Sequence, residues 1–143
     1  MTASVVLDAS FAFQLVLPGS RQAFFEEQVR QWKHQGCALL APALWLYEMT
    51  SALCKTVRLG ELAPAEGQRA LALAQRLGVH LIPPDDAQAQ SAFAWTLRLN
   101  RAAAYDSFYL ALAEAAQCEL WTADRRLCSA VNVPWVRCID KEA

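Results

Sequence analysis

No stretch of this 143-residue sequence approaches the ~18 uninterrupted apolar residues of a membrane span, although 55% of its residues are hydrophobic and 19% charged. No basic region precedes the first apolar run, and Asp8 interrupts it, so no secretory leader is expected. The five cysteines, Cys37, Cys54, Cys118, Cys128 and Cys138, are odd in number and contain no CxxC pair. That pattern suits thiols in a reducing cytoplasm better than disulfides or a zinc site. Two histidines, His34 in a polar helix end and His80 in a strand, form no HExxH, and both are expected to be structural. Walker, GxGxxG and GxSxG signatures are missing too. The net charge of −1 provides no global basic field for nucleic acid. Any such contact must come from local pairs such as Lys55/Arg58, Arg98/Arg101 and Arg125/Arg126, which serve equally well as solvated helix faces.

What the chain does have is a size typical of one domain, residues 1–143, with no repeat, linker or low-complexity tract. An apolar excess at this size also hints at a surface that a partner covers. Val5-Val6-Leu7 is a short run without alternation, as in a strand buried on both faces of a parallel sheet. Further short apolar runs, Cys37–Ala41, Val79–Ile82, Glu119–Thr122 and Trp135–Arg137, predict four more strands, the last the least marked. Helical periodicity fills the intervals, with helices expected over Leu44–Arg58, from Pro64, from Asp85/Asp86 and over Tyr105–Gln117. Asp85 and Asp86 complement a helix dipole and are left out of any site. Trp32, Trp45 and Trp95 lie on or near helix stripes and are expected in the core. Strands alternating with helices predict an α/β fold, a three-layer α/β/α sandwich with a mostly parallel four- or five-stranded sheet.

Asp8 ends the first strand, where open parallel sheets place their ligands. Taken alone it is most simply a helix cap. Glu48, however, has Leu44, Trp45 and Ala52 as helical neighbours, and Asp106 has Tyr109, Leu110 and Ala113, so both project from apolar faces. Asp124 follows the fourth strand and opens a helix, again with an innocent capping role. That all four are innocent is the harder reading. Gathered together they would repel by about 4 kcal/mol per pair at 4 Å and an effective dielectric near 20, against a domain stability of ~5–15 kcal/mol. Protonation or a bound cation relieves such a cluster. All-oxygen ligands favour Mg²⁺ or Mn²⁺, and the natural chemistry of such ions is hydrolysis of a phosphate ester.

Asp8 in VVLDAS, Glu48 in LYEMTSAL, Asp106 in AYDSFYLALAE and Asp124 in LWTADRRL resemble the four acidic motifs of the PIN domain, in order and over nearly the whole chain. AYDSFYLALAE and TADRRL are the more specific pieces. The single-domain size is similar to that of VapC-like toxins of bacterial type II toxin–antitoxin systems. The resemblance implies a Mg²⁺- or Mn²⁺-dependent endoribonuclease that leaves a 5′-phosphate and a 3′-hydroxyl. It also implies a homodimer held inactive by a VapB-like antitoxin. Asp8, Glu48, Asp106 and Asp124 would be the metal ligands and catalytic groups. Ser10 and Thr122 match small hydroxyl positions beside that pocket, and equally fit capping or packing roles. Arg101 and Arg125 are the candidate contacts to RNA phosphates. The segment 99–104 departs from the family in lacking a glycine often found there, which affects the expected loop shape.

Rival chemistries fit less well. A haloacid-dehalogenase-like phosphatase wants a second aspartate two residues after the first, where this chain has Ser10. A response-regulator receiver needs an acidic pair near the first strand and a lysine at a later strand end, and neither is present. A non-toxin PIN nuclease of RNA processing and a catalytically silent PIN-like binding module remain alternatives. The second should have lost an acidic residue, and all four are here.

Overall fold

The computed structural model describes residues 3–139; the expected domain limits of 1 and 143 lie outside them. Within these residues the chain runs β1 (Ser4–Leu7), α1 (Ala9–Val16), α2 (Gln22–His34), β2 (Ala38–Pro42), α3 (Leu44–Arg58) and α4 (Pro64–Gln75). It continues through β3 (His80–Ile82), α5 (Asp86–Leu99), α6 (Tyr105–Ala116), β4 (Glu119–Thr122), α7 (Arg125–Val131) and β5 (Val136–Cys138). The expected elements are all present, with ends displaced by one or two residues.

The five strands form one sheet in the order β3-β2-β1-β4-β5, and every described pairing is parallel. Parallel neighbours need crossovers, and helices fill them. Helix α1 contacts α2, α3 and α4, whereas α6 packs with α5 and lies across β1, β2 and β4, so helices cover the sheet in two groups. β1 is central, and Val5, Val6 and Leu7 are no more than 3% exposed, as an unbroken β-branched and apolar run requires. Trp32, Trp45 and Trp95 are buried at 7%, 2% and 6% exposure, so core packing is their role. His34 and His80 are both exposed. The Asp85 carboxylate caps α5 by accepting from the Gln88 amide at 2.7 Å.

Strand order decides where a site can form. β1 leads to β2 on one side and is flanked by β4 on the other, so the connections leave in opposite directions at this point. Open α/β sheets have their crevice at such a switch, outside the carboxyl ends of the strands. Leu7 of β1 is level with Trp121 of β4, and the Asp8 amide donates to the Trp121 carbonyl at 3.2 Å. The two strand ends are thereby locked side by side.

Candidate active site

Asp8 is the residue just past β1, and the adjacency of β4 brings Thr122 against it. The Asp8 carboxylate accepts from the Ser10 hydroxyl at 2.7 Å and from the Phe11 amide at 3.0 Å, which makes it the cap of α1 as well. It also accepts a hydrogen bond from the Thr122 hydroxyl. Ser10 Oγ lies 3.1 Å from Thr122 Oγ1 and accepts from the Ala123 amide at 3.0 Å; Thr122 Oγ1 accepts from the Asp124 amide, also at 3.0 Å. Two hydroxyls therefore stitch the residues after β1 to those after β4. Asp8 is 6% exposed, and burial pushes its carboxyl up to about 6. Hydrogen bonds from Thr122, Ser10 and Phe11 oppose that rise, and the charge of Asp106 adds to it.

Asp124 caps α7, its carboxylate accepting from the Arg126 and Leu127 amides at 2.9 and 3.3 Å. Its innocent role is thus real. A cap still leaves carboxylate lone pairs for another ligand.

Glu48 sits one turn into α3, half-buried, and Tyr109 of α6 donates its hydroxyl to Glu48 Oε1 at 2.6 Å. Burial holds Glu48 above the usual carboxylate range; the Tyr109 hydrogen bond lowers it and the charge of Asp106 raises it. Tyr109, at 1% exposure, is held far above an ordinary phenol, by burial first and then by Glu48, with Asp8 and Asp106 adding to the effect. It therefore stays a protonated donor.

Asp106 lies in the first turn of α6, where an acid complements the helix dipole. Burial raises its carboxyl, the Arg101 guanidinium lowers it, and the charge of Asp124 raises it again. Arg101 Nη1 is 3.1 Å from Asp106 Oδ2, with the two side chains 26% and 39% exposed. A pair this exposed is worth at most about 1 kcal/mol. Glu48, Arg101 and Asp106, with Ala102, Ala103 and Tyr105, line a cleft of about 350 Å³. A second groove of about 330 Å³, between α3 and α4, is lined mainly by apolar atoms of Leu53, Val57, Pro64 and Leu71 and shares no wall with the acids.

Asp106 is the hub. Its charge raises both Asp8 and Glu48, and Asp124 raises Asp106 in turn, so each of the other three carboxylates is coupled to it. Among the described residues, no three His, Cys, Asp or Glu side chains are gathered closely enough to make a ready metal cage. Each carboxylate instead turns to its own donor: Asp8 to Ser10, Glu48 to Tyr109, Asp106 to Arg101 and Asp124 to the α7 amides. Each of these donors offsets part of the repulsion that neighbouring carboxylates exert on one another. The donor set nonetheless suits a hard dication, being all oxygen with three of its carboxyls held high by burial and by their neighbours.

The PIN domain family pattern matches residues 5–132, a span that includes all four acids. The chain belongs to the PIN domain family. It is 34% identical over 125 residues to VapC ribonuclease Mb0985 of Mycobacterium bovis, covering 86% of this chain and 87% of that protein. Ribonuclease VapC9 of Mycobacterium tuberculosis is similar to the same extent, 34% over 125 residues with the same coverage. Among solved structures, PAE2754 from Pyrobaculum aerophilum superposes with a TM-score of 0.71 at 21% identity, covering 96% of this chain and 85% of that one. The VapBC2 structure from Rickettsia felis, bound to a DNA fragment from its promoter, gives a TM-score of 0.70 at 10% identity, covering 95% of this chain and 97% of that one. Both structural likenesses bear on the fold alone, and they agree with the five-stranded parallel sheet.

In this PIN domain the tertiary structure adds one residue that, by sequence, is only part of the apolar face around Asp106. Tyr109 carries a hydroxyl on that face and spends it on Glu48. A polar atom at i+3 from an anomalous aspartate was the available signal. Arg101, expected to meet RNA phosphate, is paired with Asp106. Arg125 is exposed at the start of α7.

Proposed function

We propose that this PIN domain is a divalent-metal-dependent endoribonuclease and the toxin of a VapBC-type pair, with Asp8, Glu48, Asp106 and Asp124 as its catalytic and metal-holding carboxylates. The observation that carries the reading is that the family match spans all four acids, with Glu48 and Asp106 lining one cleft and Asp8 and Asp124 tied together through Ser10 and Thr122 at the carboxyl edge of the sheet. The 34% identity to VapC ribonucleases over most of both chains supports RNA as the substrate, and the likeness to a VapBC2 structure supports a VapB-like antitoxin as a partner; a second copy of the chain is proposed as the other. No helix among the described residues is long and apolar enough to cross a membrane, and the cytoplasm is the compartment of such a toxin.

Asp8, Glu48, Asp106 and Asp124 would hold Mg²⁺ or Mn²⁺, which would supply Lewis-acid polarisation of the phosphate and a more acidic water. The chain's own residues make that possible by orientation. Ser10 and Thr122 fix the Asp8 carboxylate by donating to it, and Tyr109 fixes Glu48. The cap interactions fix Asp124. Neither histidine is part of the cluster, so the proton chemistry falls to water and the carboxylates.

The test is cleavage of purified tRNA, ribosomal RNA and messenger RNA by the wild-type protein, with Mg²⁺ or Mn²⁺ and with EDTA. Cleavage that needs the dication, ends in a 5′-phosphate and a 3′-hydroxyl, and vanishes in Asp106→Asn is the expected result. Cleavage unaffected by EDTA, or full activity in Asp106→Asn, overturns the assignment.

A further inference from the structure

Arg101 and Asp106 raise a problem for any dication at this site. The guanidinium is already paired with the carboxylate that couples to all the others. Arginine has only donors, so it cannot share in ligating a cation. A dication beside Asp106 would instead repel it. A half-exposed ion pair of this kind is worth at most about 1 kcal/mol, so it offers little resistance to that repulsion. The pair is therefore the part of the site that gives way.

The loop is built so that the side chain can leave while the backbone stays. The Arg101 amide donates to the Thr96 carbonyl at 3.1 Å, part of the C-terminal closure of α5 around Asn100, whose φ is 54°. The following Ala102 and Ala103 are exposed, with no large side chains to wall the arginine in. Arg101 lines the acidic cleft itself, so its swing keeps the charge within that cleft.

From this geometry we infer that Arg101 is an exchangeable internal counter-ion: it holds Asp106 until a dication binds, and the displaced guanidinium then receives a phosphate of the RNA strand. The inference rests on the ribonuclease reading for its RNA half and on the ion pair alone for its metal half. Its consequence is ordered assembly. Without metal, the protein withholds its phosphate-binding arm; with metal, RNA affinity rises through Arg101.

Two measurements on the full chain test this. Calorimetric titration of Mn²⁺ into the RNA-free protein should show Arg101→Gln binding three- to tenfold more tightly than wild type. Arg101→Lys, which keeps a cation at Asp106, should stay within about twofold of wild type. Second, binding of a phosphorothioate single-stranded RNA 12-mer is followed against salt, in Ca²⁺ and in EDTA. One lost phosphate contact lowers the salt slope of single-strand binding by about 0.7. That loss is expected for Arg101→Gln in Ca²⁺ and not in EDTA. Unchanged or weaker Mn²⁺ binding by Arg101→Gln, or an equal RNA defect with and without metal, overturns the exchange. A wild-type protein that takes up Mn²⁺ and shows the Arg101→Gln shift but cleaves no RNA would instead refute the ribonuclease reading and support the exchange.

Discussion

The Tyr109 hydroxyl donates to Glu48 Oε1 at 2.6 Å, joining α6 to α3 across 61 residues of sequence. The ring is packed in the core and its one polar atom serves the acidic site. Tyr109→Phe keeps the ring and removes the donor. Net loss of one hydrogen bond costs about 0.5–1.5 kcal/mol, so the melting temperature should fall by only a few degrees. The Glu48 carboxylate, no longer oriented by its donor, should hold Mn²⁺ more weakly, with cleavage reduced roughly tenfold. Wild-type metal affinity and cleavage in this variant would show that the hydrogen bond is structural only.

Asp8 sets a pH dependence. Its folded carboxyl is pushed up to about 6 from an ordinary 3.8. A raised carboxyl means that the folded chain binds protons more tightly than the unfolded one, so stability is full below about pH 4 and is lost as pH rises through about 6. A rise of about two pH units at 1.36 kcal/mol each amounts to roughly 3 kcal/mol. Glu48 and Asp106 are raised too and act in the same sense. Thermal melts in EDTA should therefore fall in midpoint between pH 4 and 7, and Mg²⁺ should restore part of the loss at neutral pH. A midpoint that climbs over this range in EDTA contradicts the buried, charged Asp8.

The same reasoning makes Asp8→Asn a stabilised, inactive protein. The amide oxygen still accepts from Phe11, and the charge that burial penalises is gone. In EDTA at pH 7.5 its urea unfolding free energy should exceed that of wild type by about 1–3 kcal/mol. Cleavage should be undetectable. Destabilisation together with retained activity would remove Asp8 from the site.

Thr122 is fully buried, and its hydroxyl serves both Asp8 and the Asp124 amide. Thr122→Val preserves shape but leaves the amide without an acceptor, which costs about 1–3 kcal/mol. Thr122→Ser keeps the hydroxyl and should lose less than half as much. Chemical denaturation of the two variants separates the hydroxyl from the methyl.

The elements were legible, and the acids stood out, because each left a local mark. β1 is an unbroken apolar run, α3 and α6 are periodic, and Glu48 and Asp106 break an apolar stripe with a charge. Asp8 and Asp124 were ambiguous for a physical reason that survives in the structure: both do cap helices. Capping and site formation draw on the same carboxylate, so one role never excluded the other. The partners of the acids left no such mark. Ser10 and Thr122 stand 112 residues apart, and Arg101 looked like any loop arginine.

The order of residues alone sets an alternation of buried strands and amphipathic helices and puts carboxylates where apolar side chains are due. Hydrophobic period and local chain geometry are short-range properties, readable residue by residue. Which group answers each charge depends on the folded arrangement: Tyr109 for Glu48, Ser10 and Thr122 for Asp8, Arg101 for Asp106. Those pairings follow from the strand order, which sets β4 beside β1 and lays α6 across both. A buried charge must find a donor or a cation wherever the fold has brought one, and sequence distance does not measure that.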